Sequence, residues 1–188
     1  MLAIVPVKGL DGAKSRLAPV LDADGRRDLV LRMLGDVLAA CQGAESVERI
    51  LVVTPEPRLV DAGVDVLVDA GEGHPAAIRA ALADPRSAVG ALIVMADLPL
   101  VTPQALDRLA AFARPVALAP ARDGGLNALA LREPSAFEPA FGVPGAASVT
   151  TARARGAGLT ARVVDDPVLA HDVDTPCDLR ALRTKTAA

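Results

Sequence analysis

The chain has 188 residues, enough for one good-sized domain and too few for two comfortable ones. Its residues are 52% apolar and 23% charged, so it can fill a core without metals or disulfides, but an aliphatic one, since it holds three Phe and neither Tyr nor Trp. A formal charge of −3 excludes broad electrostatic binding to nucleic acid or an anionic membrane, and the lack of aromatics excludes the stacking platforms of single-strand binders.

Leu2–Val7 is a wholly apolar run, as a strand buried on both faces should be. Lys8 ends it before it reaches the length of a signal-peptide core. A loop rich in glycine and lysine follows, from Lys8 to Pro19. In it Gly9 and Gly12 let the backbone approach a polyphosphate closely, and Lys8, Lys14 and Arg16 can neutralise one. It is not a Walker loop, because Lys8 and Ala13 stand where that motif needs glycine. The alternative is a solvated basic loop.

Asp22–Ala40 reads as an amphipathic helix with Leu29, Met33, Val37 and Ala40 on one stripe. Ile50–Thr54 and Val64–Val68 are the next strands. After the third strand, Gly71-Glu72-Gly73-His74-Pro75-Ala76 fits a dinucleotide fingerprint literally. However, it follows the wrong strand, and Glu72 would oppose a pyrophosphate. Gly73 is placed instead with the substrate, in a loop that can hold the nucleobase, and His74 reads as a surface or capping residue. Pro75 opens a helix to Ala83.

Ala91–Ala96 is a buried strand ending at Asp97, which must either cap a turn or bind a metal. Thr102 caps a helix that starts at Pro103 and runs to about Ala113. Val116–Pro120 and Asn127–Leu131 are strands flanking a turn at Asp123-Gly124-Gly125, and they can introduce an antiparallel pair. Ser148–Ala157 is helical, Leu159–Val164 is the last strand, and Thr175-Pro176 starts a closing helix. In His171-Asp172-Val173-Asp174, the two carboxylates lie two residues apart and face the same way in an extended segment. Asp174 reads either as a helix cap or, with Asp97 and Asp172, as a ligand of one hard cation such as magnesium. His171 either supports this site or is structural.

Alternating strands and helices predict a single α/β domain over residues 1–188, a three-layer αβα arrangement with a mixed, mostly parallel sheet. No apolar stretch approaches the ~18 residues of a membrane-spanning helix. Cys41 and Cys177 form no CxxC and read as buried or idle thiols of a reducing compartment. A cytoplasmic location is expected.

Val5-Pro6-Val7-Lys8, Lys14-Ser15-Arg16-Leu17, Ala96-Asp97-Leu98-Pro99, Asp123-Gly124-Gly125-x-Asn127, Phe141-Gly142 and His171-Asp172-Val173-Asp174-Thr175-Pro176-x-Asp178-Leu179 occur in that order. Together they resemble the phosphoenolpyruvate / 2-phospho-L-lactate guanylyltransferases of coenzyme F420 biosynthesis, relatives of the molybdenum-cofactor nucleotidyltransferases. The resemblance covers nearly the whole chain. It implies a nucleotide-diphospho-sugar transferase (GT-A-like) fold, GTP as donor and phosphoenolpyruvate or 2-phospho-L-lactate as acceptor, and the Ala- and Arg-rich composition, typical of high-GC bacteria, favours phosphoenolpyruvate.

The resemblance further implies magnesium on Asp97, Asp172 and Asp174, with Lys14 and Asp97 catalytic. Substrate contacts fall on Lys8, Gly9, Arg16 and Gly73, and on Gly125, Asn127, Gly142, Gly145 and Ser148 at the acceptor end. The chain departs from the family pattern in three places. Val143-Pro144-Gly145-Ala146-Ala147-Ser148 carries one extra residue and no histidine, Leu126 replaces a common Thr, and Gly73-His74-Pro75 replaces a common Gly-Leu-Asn. A sugar-phosphate or molybdopterin nucleotidyltransferase and a non-catalytic nucleotide-binding regulatory domain are the alternatives. The expected partners are small molecules, with no nucleic acid and no membrane, and a homodimer is left open.

Overall fold

The computed structural model describes residues 1–60 and 63–186. Its spine is a sheet of seven strands: β1 (Leu2–Pro6), β2 (Arg49–Thr54), β3 (Asp65–Val68), β4 (Ala91–Val94), β5 (Val116–Pro120), β6 (Leu126–Leu131) and β7 (Ala161–Val163). They lie in the order β3-β2-β1-β4-β6-β5-β7. β6 alone is antiparallel to its neighbours, β4 and β5, and all other pairs are parallel. The pair flanking Gly124-Gly125 is therefore the antiparallel one expected from the sequence.

Five helices cover the sheet: α1 (Ala23–Gly43), α2 (His74–Ala83), α3 (Pro103–Phe112), α4 (Ala146–Gly156) and α5 (Pro176–Thr186). Strand alternation divides the core in two. Ala3 and Val5 of β1 pack with Val37 of α1 and Leu106 of α3 on one face, while Leu2 and Ile4 pack with Ile78 of α2 and Ala147 of α4 on the other. This is the three-layer αβα arrangement. A chain so poor in aromatics fills both layers with Leu, Val, Ile and Ala, and β1 and β4 are wholly buried.

Boundaries shift by a few residues. Asp22 caps α1 by accepting from Gly25 N–H at 2.8 Å, and Thr102 caps α3 by accepting from Ala105 N–H at 3.2 Å. α4 begins at Ala146, two residues before the predicted start, because left-handed Gly145 turns the chain into it. The last strand is shorter than predicted and lies at the sheet edge. Cys41 is buried, and burial pushes its thiol up to about 12. Cys177 is a free thiol as well, and it is exposed.

The strand order places the site. From β1 the chain winds outward to β2 and β3, then returns to the other side of β1 as β4. Ligands bind at such a reversal, beyond the carboxyl ends of the strands. A third apolar cluster lies beneath that crevice: Leu10 and Leu17 of the basic loop, Leu29, Val30 and Met33 of α1, Val173 beside the paired aspartates, and Leu179 of α5. Leu17 is fully buried. Leu17→Ala should therefore cost about 2–5 kcal/mol, seen as a lower urea midpoint, and should loosen the basic loop together with the C-terminal aspartates.

Candidate active site

The crevice is a cleft of about 910 Å³ across the ends of β3, β2, β1, β4 and β6. It takes in Lys8, Gly9, Lys14 and Arg16 after β1, Gly73 and His74 at the start of α2, and Asp97 after β4. From the far side come Gly125, Asn127 and Gly142, and from the C-terminal segment Asp172 and Asp174.

The basic loop is pinned within the cleft. Leu10 N–H donates to Glu56 Oε1 at 2.8 Å. A Cβ on Gly9 would lie 2.7 Å from that oxygen, so glycine is what lets Glu56 reach in. The loop then turns at Lys14, the only non-glycine residue with positive φ (50°) among the described residues. That conformation costs an L-residue about 1–2 kcal/mol. It is held by the side chain, whose Nζ donates to Asp97 Oδ2 and Asp174 Oδ1, each at 2.6 Å. The Lys14 side chain is 11% exposed. Burial alone would lower its pKa, but the two carboxylates outweigh burial and raise it above 10.5.

The C-terminal carboxylates are placed by a different device. Thr175 and Asp178 form a capping box at α5: Thr175 N–H donates to Asp178 Oδ2 at 2.8 Å and its hydroxyl to the same oxygen at 2.7 Å. Asp178 also accepts from Asp174 N–H at 3.2 Å. Thr175, whose hydroxyl oxygen accepts from Asp178 N–H at 3.4 Å, thus takes the cap position that the sequence also offered to Asp174, and the Asp174 carboxylate is left for Lys14. Val173 N–H donates to the Asp97 carbonyl at 3.3 Å, joining the two acidic segments through their backbones.

Asp172 stands behind this pair. Its carboxylate accepts from Asn127 Nδ2 at 3.3 Å, and Asn127, 4% exposed, also donates to the Leu169 carbonyl at 2.9 Å. In this structure Asn127 therefore orients an acid as well as lining the cleft. Burial, then the Asp97 and Asp174 charges, push the Asp172 carboxyl above the usual range against the pull of Asn127. Like charges crowded in this way are relieved by a cation.

Magnesium takes one or two carboxylates and completes its shell with waters and substrate oxygens. The hard oxygens of Asp97, Asp172 and Asp174 fit that demand. They form no ready-made cage: among the described residues no group of three or more His, Cys, Asp or Glu is arranged to hold a metal ion.

Two expected substrate residues are not brought into the cleft. Gly145 and Ser148 do not line it, and Ser148 is exposed on α4. Their segment meets the Asp123–Gly125 turn from behind, where Ala147 N–H donates to the Gly124 carbonyl at 3.3 Å. His74, read as surface or capping, lines the cleft instead. Burial, aided by Lys8 and Lys14, lowers its pKa to about 4, while Asp97 and Asp174 oppose the shift. His171 is fully buried. Glu56 and Asp69 also serve the cleft, and no motif marked them.

A family model described as guanylyl transferase CofC like matches residues 1–185. The chain is 43% identical to a phosphoenolpyruvate guanylyltransferase of Sphaerobacter thermophilus, over 96% of this chain and 91% of the relative. It is 40% identical to one of Rubrobacter xylanophilus (97% and 93%), and 38% identical to a 2-phospho-L-lactate guanylyltransferase of Halomicrobium mukohataei (95% and 83%). Among solved structures, a nucleotide-diphospho-sugar transferase homologue from Desulfovibrio desulfuricans superposes with a TM-score of 0.79 at 19% identity, covering 100% of this chain and 88% of that one. That likeness extends to the fold alone.

The low pKa of His74 sets a sign for the pH dependence of stability. The folded state favours neutral imidazole, so this contribution is complete above pH 6.5 and is lost as pH falls from 6.5 toward 4. Urea unfolding followed across that window should show falling stability, and His74→Gln should flatten that part of the curve.

Proposed function

The chain belongs to the CofC-like guanylyl transferase family, and from that premise we propose that it transfers GMP from GTP to phosphoenolpyruvate in coenzyme F420 biosynthesis. The products are a guanosine diphospho-acid and pyrophosphate. The observation that carries this reading is the meeting of Lys14, Asp97 and Asp174 in one cleft at the reversal point of the sheet, beside the Lys8 and Arg16 cations.

In the proposed reaction an oxygen of the acceptor phosphate attacks the α-phosphorus of GTP. The new P–O bond forms as the bond to the β-phosphate oxygen breaks, and pyrophosphate leaves with that electron pair. The nucleophile is already an anion, so no side chain need remove a proton. The barrier is repulsion between anions and the loss of freedom in aligning them. Holding two reactants in line contributes up to ~7–11 kcal/mol, and a cleft with walls from five strands suits that task. Lys14 supplies a fixed, permanently charged donor set by two carboxylates, while Lys8 and Arg16 at the exposed rim bring cations to the triphosphate. His74, neutral at physiological pH, adds no charge to the phosphate zone and can offer a hydrogen bond.

Asp97, Asp172 and Asp174 are the residues we assign to magnesium. The ion, when bound, would neutralise phosphate charge as it builds in the transition state. Gly125 and Gly142, on the opposite wall from the basic loop, are assigned to the acceptor. The name of the Halomicrobium relative favours 2-phospho-L-lactate as the second candidate acceptor, since the two acids differ only beside the carboxylate.

Pyrophosphate release with GTP and each acid, with and without magnesium, tests the reading. Turnover is expected only when GTP, magnesium and one of the two acids are all present, and release that is indifferent to the acid would reject it. Asp97→Asn should lower kcat by about 100- to 1,000-fold while leaving the circular dichroism spectrum unchanged. Near-normal turnover in that variant would remove Asp97 from the chemistry.

A further inference from the structure

We infer that Asp69 selects the base of the nucleotide by accepting hydrogen bonds from the paired donors of guanine, the ring N1–H and the 2-amino group. The inference rests on the guanylyl-transfer reading and adds to it the residue that sets donor specificity.

The charged groups divide the cleft into two ends. Lys14, Asp97, Asp172 and Asp174 gather where β1 and β4 finish, and Gly125, before β6, lies beyond them, while Gly142 stands against Pro75 of α2. The nucleoside is left the other end, over β2 and β3. Three interstrand steps separate β4 from β3, a span of about 14 Å, enough for the ribose and base of an extended nucleotide.

That end is built for a flat ring and carries little polar chemistry. Pro55 closes one side. Gly71 and Gly73 both have positive φ (74° and 94°), and a Cβ on Gly71 would stand 3.7 Å from the Pro55 ring, narrowing the space between them. Among the described residues lining this end, Asp69 and Glu72 are the carboxylates, while the neighbouring His74 feels the charges of Lys8, Lys14, Asp97 and Asp174. Neither carboxylate joins an ion pair among the described residues. Glu72 is exposed, whereas Asp69 is partly buried and fixed. Its backbone N–H donates to the Thr54 carbonyl at 3.3 Å, extending the β2–β3 ladder, and its Oδ1 accepts from Gly71 N–H at 3.3 Å. Oδ2 has no such partner among the described residues and is available to a ligand.

A carboxylate only accepts hydrogen bonds. Of the four RNA bases, guanine alone presents two adjacent donors on its pairing edge. Adenine and cytosine set a bare ring nitrogen beside a single amino group, and uracil flanks its one N–H with two carbonyl oxygens. A held carboxylate therefore attracts guanine and repels the other three, and rejection through unpaired polar groups is the stronger form of discrimination.

The test compares GTP, ITP, XTP and ATP on the wild-type protein and on Asp69→Asn, a near-isosteric change that keeps an oxygen for Gly71 N–H. It reads both kcat/KM for pyrophosphate release and equilibrium binding without acceptor. Wild type should prefer GTP over ITP, which lacks the 2-amino group, and reject XTP and ATP. Asp69→Asn should lose about 10- to 100-fold on GTP and gain on XTP, whose 2-oxo group meets the new amide donor. An unchanged GTP-to-XTP ratio in the variant, or a shift produced by Glu72→Gln instead, would overturn the inference. If no acid supports pyrophosphate release but the variant still exchanges GTP preference for XTP in binding, the transfer reading fails and Asp69 stands.

Discussion

The Lys14 ammonium, shared between the carboxylates of Asp97 and Asp174, joins three parts of the chain that nothing local would bring together. Its two partners lie 83 and 160 positions further along. Without a cation, Asp97, Asp172 and Asp174 would stand close together unscreened in a partly buried crevice, a costly arrangement at neutral pH. With Lys14 in place, the same three acids become an organised site. The left-handed backbone at Lys14 belongs to this balance: a conformation unfavourable to lysine persists because two short ion pairs and the buried Leu10 and Leu17 on either side hold it.

Two other devices keep that contact in register. Val173 is buried in the cluster that also anchors the basic loop, so the segment carrying Asp172 and Asp174 cannot move independently of Lys14. Glu56 ties the loop to the end of β2, and Gly9 makes room for it. The cleft is therefore supported from below by apolar packing and from the side by one carboxylate. None of these supporting residues has to touch substrate.

Much of this was legible in the residues. Fully apolar runs at Leu2–Val7 and Ala91–Ala96 can only be strands buried on both faces, and the reversal of strand order places whatever follows them at a binding crevice. Lys8, Lys14, Arg16 and Asp97 were legible for that reason, and Asp172 and Asp174 through their spacing of two. What escaped was whatever depends on a distant partner. The Thr175–Asp178 capping box has a sequence signature, yet only the structure frees Asp174 from the cap. Asn127 reads as a ligand contact, and only the structure adds that its amide also donates to Asp172. His74 follows two glycines and a glutamate, and nothing in that run signals the cations that lower its pKa. Gly145 and Ser148 came from a family pattern that this chain interrupts, and an inserted residue in a turn shifts which side chains face forward.

The charge of the cleft argues for its chemistry more strongly than the fold does, since the same architecture at 19% identity carries no substrate with it. Three cationic side chains, Lys8, Lys14 and Arg16, face seven acidic ones, Asp11, Asp69, Glu72, Asp97, Asp123, Asp172 and Asp174. Such a surface repels a triphosphate and a phospho-acid unless the acids have separate work. Asp97 and Asp174 already share Lys14, and with Asp172 they are the acids we propose for magnesium. Asp69 follows β3, three strands away from β4 and Asp97, which is the separation the proposed base role uses. An excess of carboxylate in a site for anions becomes intelligible if the acids are divided by position, as the proposed metal and base roles divide them. A cleft designed only to bind phosphate would have no use for them.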